Sequence, residues 1–289
     1  MDLSIIIVSW NVKEYLEKCL ESIFENPPQF DFEIIVVDNA STDKSSQMVK
    51  KKFPQVKLIE NKENLGFAKA NNQGIRESPG KYILLLNPDT VVLPGAIDKL
   101  IKFMEEHKET GVVAPKILNP DKTLQPSCLA FPTLSAMFVR AIFIEGLWPN
   151  NPITRYYLMK DFDFQSEAEV DQPMGAALMI RRAVLDQVGL FDEESFMFFD
   201  EVDLCFRIKK AGWKIYFTPR AEITHYMARS IKKWGIFNLS RHWTRSRNHY
   251  FYKHFGLGAL LLLYLFDFLR LAIVIGILIG LGAIIWRII

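Results

Sequence analysis

The chain has 289 residues, 49% hydrophobic and 24% charged, with a formal net charge of +2. That length and apolar content suit one large α/β domain or two small ones with a well-buried core, and exclude a disordered chain. The charge is unevenly held, because residues 229–289 carry nine Lys/Arg against Asp267 alone and leave residues 1–228 net acidic. Cys19, Cys128 and Cys205 are scattered and form no CxxC pair, which argues against a disulfide framework or a cysteine zinc site and for a reducing compartment. The opening MDLSIIIVSW lacks a basic leader and its apolar run is short, so no export signal is expected there.

Taken in chain order, apolar β-branched runs alternate with segments of helical period. SIIIVSW precedes a helix over 12–25, FEIIVVDNA a helix over 42–52, VKLIEN a helix over 67–77, and KYILLLNPD a helix over 94–107. Continuous apolar strands separated by amphipathic helices predict an α/β fold with a mainly parallel sheet covered on both faces. Ligands of such sheets sit at the carboxyl ends of the strands. Three polar clusters fall there: Ser9-Trp10-Asn11, Asp38-Asn39 and Asn87-Pro88-Asp89.

From residue 119 onward, prolines interrupt short apolar pieces, which predicts an irregular insertion of the kind that sets substrate choice. A more ordered stretch follows: MGAALMIRR, a short helix, FMFFDEVDLCFRIKKAGW as a strand-like entry into a helix, and KIYFTP as a strand. Residues 229–256 then interleave seven Lys/Arg with aromatics and no acid, and residues 257–289 are apolar except for Asp267, Arg270 and Arg287. The predicted organisation is a catalytic domain over 1–228, a basic-aromatic juxtamembrane segment over 229–256 and a hydrophobic membrane-associated segment over 257–289. Residues 271–286 would make a helix of about 24 Å, slightly short of a hydrocarbon core of roughly 30 Å, with Arg270 and Arg287 able to snorkel at its ends; a single span, a re-entrant hairpin and a surface-lying helix all fit this segment.

No GxGxxG follows the first strand and no GxxxxGK[ST] occurs, which counts against a dinucleotide oxidoreductase and a P-loop NTPase. Acidic and amide residues at strand ends suit a nucleotide whose diphosphate is held by a hard divalent cation, Mg2+ or Mn2+.

The fragments IIIVSWN, IIVVDNASTD, NLGFAKANNQGI, LLLNPDT, GAALMIRR, FDEESFMFFDEVDLCFRIKKAGW and ITHYMARS, in that order over residues 3–230, resemble the family 2 glycosyltransferases, and specifically their rhamnosyltransferase-like branch. The resemblance implies the nucleotide-diphospho-sugar transferase (GT-A) fold and transfer with inversion at the sugar carbon. It also implies roles for individual positions. Ser9, Trp10 and Asn11, then Asp38 and Asn39, belong to the nucleotide site, with Trp10 packing on the base and Asp38 accepting from it. An Asx turn or helix cap is the structural alternative for Asp38. The NLGFAKANNQGI segment closes over the donor nucleotide, with Gly66 making the turn, Asn64, Lys69 and Asn72 as contacts, and free N–H groups of the following helix offered to an anion.

Asp89 matches the last aspartate of the family's metal-binding DxD element, with Asn87 where the first aspartate often stands. His225 matches a histidine near the metal or diphosphate, followed by Ser230 with Arg229 in place of the usual glycine. Direct displacement needs a carboxylate to take the acceptor proton, and Asp200 and Glu201 both qualify. Asp203 is better explained by an ion pair with Arg207 one turn on. Relatives often read ED where this chain reads Asp200-Glu201, so the pair stays open at this point.

The implied partners are a nucleotide-sugar donor, with dTDP-rhamnose first to be tested, and a lipid-linked saccharide or polyprenyl-phosphate acceptor at the cytoplasmic membrane, the catalytic domain facing the cytoplasm. Basic residues beside an apolar tail suit anionic headgroups. A different class of function is an anionic-surface or nucleic-acid binding module built on 229–256, although the adjoining apolar segment favours lipid phosphate over nucleic acid.

Overall fold

The computed structural model describes residues 1–227 and 235–288, the side chains of 236 and 280–288 excepted. The chain divides into two compact units, Met1–Leu129 with Asp163–Ser246, and Ala130–Phe162 with Arg247–Ile289. These boundaries differ from the divisions at 228 and 256 that composition suggested, because packing follows neither the charge change nor the start of the apolar run.

In the first unit β1 (Leu3–Ser9) leads to α1 (Lys13–Glu25), β2 (Phe32–Asp38) to α2 (Ser45–Lys52), and β3 (Lys57–Glu60) to α3 (Gly66–Arg76). β4 (Tyr82–Leu86) then passes through the short β5 (Thr90–Val92) to α4 (Ala96–Glu106). After β6 (Thr110–Leu118) and β7 (Cys128–Leu129), the second unit contributes α5 (Leu134–Ala141), α6 (Ile144–Leu147) and α7 (Pro152–Tyr157). The chain returns to the first unit with β8 (Ala168–Glu169), β9 (Gln172–Pro173), β10 (Ala177–Arg181), α8 (Arg182–Val188), α9 (Asp200–Lys210) and β11 (Lys214–His225), before α10 (Ile236–Ile288). The four helices predicted in the first 107 residues thus form within a few residues of their expected bounds.

Among the described residues the main sheet has nine strands, ordered β3-β2-β1-β4-β10-β6-β11-β5, with β8 paired along β11. β1 runs parallel to β2 and β4, bringing Ile5 opposite Ile34 and Leu84. β10 runs antiparallel to both β4 and β6, and β5 antiparallel to β11, so the sheet is mixed with a parallel majority in its first half. One face packs Leu3, Ile5, Ile7, Ile34 and Val36 against Leu16 and Leu20 of α1 and Leu100 and Met104 of α4. The other buries Ile35 and Val37 against Ala70 of α3. A Cβ at Gly74 would lie 2.5 Å from Ile6 Cγ2, so the glycine lets α3 seat directly on β1.

Three expectations are corrected. The strand KIYFTP does not end at Pro219: β11 runs on to His225, past a register irregularity between Thr218 and Glu222 where it faces Pro115 of β6. A proline cannot donate to a ladder, and the irregularity absorbs that loss. FMFF is not strand-like, because Phe198 and Phe199 both have left-handed backbone, with φ of 69° and 60°. The insertion from 119 holds three short helices.

In the second unit α10 is broken at Gly256, whose φ of 80° and ψ of −173° are not helical. An uninterrupted α-helix would separate residues 247 and 267 by about 30 Å. Instead the Arg247 guanidinium donates to both oxygens of Asp267 at 3.0 and 2.6 Å, so the chain reverses at Gly256. Phe138 of α5 lies 5.0 Å from Phe266, and Arg270 stacks over Phe143 at 5.5 Å. Part of the basic-aromatic segment is therefore engaged in packing: Ser246, Arg247, Tyr250 and Phe251 are buried. The run Phe237–Ile279, which contains this break, carries an 18-residue window long and apolar enough to cross a membrane, only 11% of it buried.

Candidate functional site

A cavity of about 430 Å³ opens in the first unit at the carboxyl ends of β1 and β4. It is lined by Val8, Trp10, Asn39, Asn64, Gly66 and Phe67, by Asn87, Pro88 and Asp89 after β4, and by Met174, Gly175 and Ala176 before β10. Phe196, Met197 and Phe198, Asp200 and Glu201 at the start of α9, and His225 and Met227 at the end of β11 complete it. Of the expected site residues, Trp10, Asn39, Asn64, Gly66, Asp89, Asp200, Glu201 and His225 therefore share one wall. Ser9, Asn11, Asp38, Lys69 and Asn72 do not line it, and Arg229 and Ser230 lie outside the described residues.

Of the residues that do not line the cavity, Asn11, Asp38 and Asn72 are employed within the fold. Asn11 Oδ1 accepts from Thr42 N and its own N–H donates to Ser41 Oγ, tying the end of β1 to the loop after β2. Asp38 closes a turn, its Oδ2 accepting from Ser41 N at 3.0 Å and Ser46 Oγ at 3.1 Å, while Oδ1 is buried without a hydrogen-bond partner. Ser9 Oγ is likewise buried and unpartnered among the described residues. Asn72 is spent inside the fold: its amide donates to Phe191 O and Glu193 Oε1 and accepts from Phe191 N. Lys69 is exposed on α3.

The polar stretch around Gly66 takes its shape from a close contact. Gly66 has φ +82°, and a Cβ there would meet Phe196 O at 2.4 Å. The Gly66 N–H donates to Asn64 Oδ1 and the Phe67 N–H to that same Phe196 carbonyl. Two N–H groups expected to face an anion are thus already bonded within the protein. The amide side chains of α3 serve similarly, with Asn71 donating to Phe67 O and Gln73 exchanging hydrogen bonds with Asn61. Asn39 Nδ2 donates to Gly66 O, so the turn is also held from the end of β2. Gly66→Ala would force a non-glycine residue into left-handed backbone, worth roughly 1–2 kcal/mol, and drive Cβ into a carbonyl that cannot rotate away. A thermal midpoint lower by several degrees is the expected result, at about 2–4 °C per kcal/mol; an unchanged melt would mean that the 196 loop yields freely.

Asp89 and His225 meet on the cavity wall with Oδ1 and Nε2 3.3 Å apart, both nearly inaccessible. β5 pairs with β11 so that His225 stands opposite Thr90, and Tyr226 N donates to the Asp89 carbonyl. This pairing fixes the backbone beneath both side chains. His225 Nε2 is buried with no hydrogen bond, whereas Nδ1 lies 2.8 Å from Gln125 Oε1. Gln125 was not expected in the site. The only sequence sign of it is an amide in the proline-bounded loop after β6.

Among the described residues no three His, Cys, Asp or Glu side chains converge as a preformed metal cage. Asp89 and His225 nevertheless fit a divalent ion that takes its remaining ligands from a diphosphate and water. One is a carboxylate, the other a buried nitrogen without a hydrogen bond, and cis ligands of an octahedral ion at about 2.1 Å lie roughly 3 Å apart.

Asp200 and Glu201 open α9 after the two left-handed phenylalanines. Asp200 is buried and its Oδ2 has no partner, whereas Glu201 is half-buried. Burial pushes the Asp200 carboxyl well above the ordinary aspartate range, and the adjacent Glu201 charge and hydrogen bond push it further. Asp203 does what its spacing suggested, accepting from Arg207 Nε at 2.8 Å. In the fold Asp200 keeps a proton that the unfolded chain gives up, so stability falls as pH rises from the ordinary value of 3.8 toward the raised one. Asp200→Asn removes this slope. Its melting temperature is expected to exceed that of the parent at pH 7 and to converge with it near pH 4; parallel melting curves at both pH values would contradict the assignment.

Residues 4–188 match the family model described as Glycosyl transferase family 2. The chain is 31% identical over 254 residues to N-acetylglucosaminyl-diphospho-decaprenol L-rhamnosyltransferase of Mycobacterium tuberculosis, covering 83% of this chain and 81% of that protein. It is 28% identical over 232 residues to rhamnosyltransferase WbbL of Escherichia coli, covering 77% and 82%. Among solved structures it resembles mannosyltransferase PcManGT from Pyrobaculum calidifontis in complex with GDP-Man and Mn2+. That match has a TM-score of 0.56 at 17% identity over 98% of this chain and 79% of the other.

Proposed function

The chain belongs to glycosyl transferase family 2 and has the GT-A fold, and on that premise we propose that it moves a sugar, rhamnose first among candidates, from a nucleoside diphosphate onto a lipid-linked saccharide. The observation that carries this reading is the cavity lined together by Trp10 and Asn39, Asp89 with His225, and Asp200 with Glu201. The sugar and the acceptor class are suggested by the names of the two rhamnosyltransferases to which the chain is similar.

In this reading Trp10 offers a face to the base, while Asn39 holds the Gly66 turn beside it. Asp89 and His225 would hold Mg2+ or Mn2+, which when bound supplies positive charge to the departing diphosphate. Glu201 is the half-buried member of the carboxyl pair and stands ready to receive the acceptor proton. Asp200, kept protonated by its burial and by the Glu201 charge beside it, leaves the negative charge on Glu201. The acceptor oxygen attacks the anomeric carbon, its proton passes to Glu201, and the bond from that carbon to the phosphate oxygen breaks with its electron pair leaving on the nucleoside diphosphate. Direct displacement inverts the carbon.

α10 is read as the membrane contact, and the seven Lys/Arg of 229–256 favour a cytoplasmic catalytic unit by the positive-inside rule. The test is a screen of nucleotide sugars with a polyprenyl-diphosphate-linked N-acetylglucosamine acceptor and Mn2+, scoring nucleoside diphosphate release. Acceptor-dependent release with dTDP-rhamnose is expected; release only with other donors, or only without acceptor, would displace the reading.

A further inference from the structure

We propose that Gln125 is a positioning residue that selects the tautomer of His225, so that Nε2 presents a lone pair, not a hydrogen, toward Asp89. The inference rests on the metal-binding role read above for Asp89 and His225, and concerns a residue outside the expected site. Gln125 is 2% exposed. Its backbone N–H donates to Ile117 O, and Leu118 bridges Leu124, which folds the chain back along the end of β6. β6 is the parallel neighbour of β11, pairing Leu118 with Thr224. The reversal therefore delivers the amide beside His225, the residue after Thr224.

The orientation of the amide is fixed by its other contacts. Gln125 Nε2 donates to Asn119 Oδ1 at 2.8 Å and to the His225 carbonyl at 3.4 Å, both of which can only accept. The oxygen is thus the atom that faces His225 Nδ1 at 2.8 Å. An amide oxygen has no hydrogen to give, so Nδ1 must carry the proton. In the neutral ring Nε2 then bears only its lone pair, 3.3 Å from an Asp89 oxygen that also only accepts. Two such facing acceptors at that separation favour a shared cation, either a metal ion or the second proton of an imidazolium. A glutamine in this place turns a histidine that could hydrogen-bond to Asp89 into one prepared for a metal, as histidine ligands generally require of the partner on their other nitrogen.

The test uses the full chain in detergent micelles, labelled with 15N-histidine, and manganese alone as the probe. A His225→Asn variant identifies the His225 signals by their loss. The parent protein is expected to show Nδ1 as the protonated nitrogen and Nε2 as the lone-pair nitrogen before any metal is added. Mn2+ affinity, read from the paramagnetic resonance of the free ion, is expected to fall about 10–100-fold in Gln125→Met and to recover mostly in Gln125→Glu, which restores an acceptor. An Nε2-protonated ring in the parent overturns the proposal without any variant having to fold. If His225→Asn weakens Mn2+ but folded Gln125→Met stays within about 3-fold of the parent, the positioning role fails and the metal reading stands. If neither substitution weakens Mn2+, both fail.

Discussion

Asp89→Ala is expected to abolish Mn2+-dependent donor binding and to lower turnover by roughly 10³-fold or more, the several kcal/mol that a bound cation contributes to a phosphoryl leaving group. Among the described residues no cluster of three candidate ligands could take over, and Asn87, where relatives often have a second aspartate, is uncharged. Loss of Asp89 would leave His225 as a lone ligand. The substitution should spare the fold, because the contact that holds β5 and β11 together at this point is the Asp89 carbonyl accepting from Tyr226 N, which alanine retains. Calorimetric titration of Mn2+ with dTDP, beside the turnover assay, separates binding from chemistry. Near-normal turnover with a normal melt would remove the metal from this site.

Glu201→Gln is expected to lower kcat by about 10²–10⁴-fold, the range for a lost general base, with donor affinity little changed because the acceptor side of the reaction is affected. The choice between the two carboxyls follows from their environments. Asp200 is buried and favours its protonated form, whereas Glu201 is partly open to the cavity. Asp200→Asn keeps a donor toward Glu201 and should cost much less in kcat than Glu201→Gln. A reversed order, with Asp200→Asn the more damaging, would give Asp200 the proton.

The first half of the sheet was legible because β1, β2 and β4 hold continuous apolar runs and amphipathic helices separate them. β6 was harder to read, since Pro115 splits its run, and the neighbouring strand tolerates that proline only through an irregularity that no local pattern announces. The residues on the cavity wall were legible where chemistry required a charged or aromatic type, as at Trp10, Asp89 and His225. The amides of α3 misled for a physical reason: asparagine and glutamine are as useful for fastening one element to another as for binding a ligand. Asn72 and Gln73 do the former. Gln125 was invisible because the orientation of its amide is set by Asn119 and by the carbonyl of His225, the latter 100 residues away in sequence.

The two left-handed phenylalanines bear on how separable the parts of this chain are. Bulky residues hold positive φ only under constraint, at a cost of order 1–3 kcal/mol each. Here the constraint comes from the beginning of α10: His242 stacks on Phe196 at 4.7 Å, Trp243 meets Phe199 edge-on, and Ser246 Oγ donates to Met197 O. A polypeptide cut after Met227 would contain every residue on the cavity wall and still lack what keeps Phe198 and Phe199 in place. The compact unit that holds the cavity accordingly runs through Ser246, and its boundary falls inside α10.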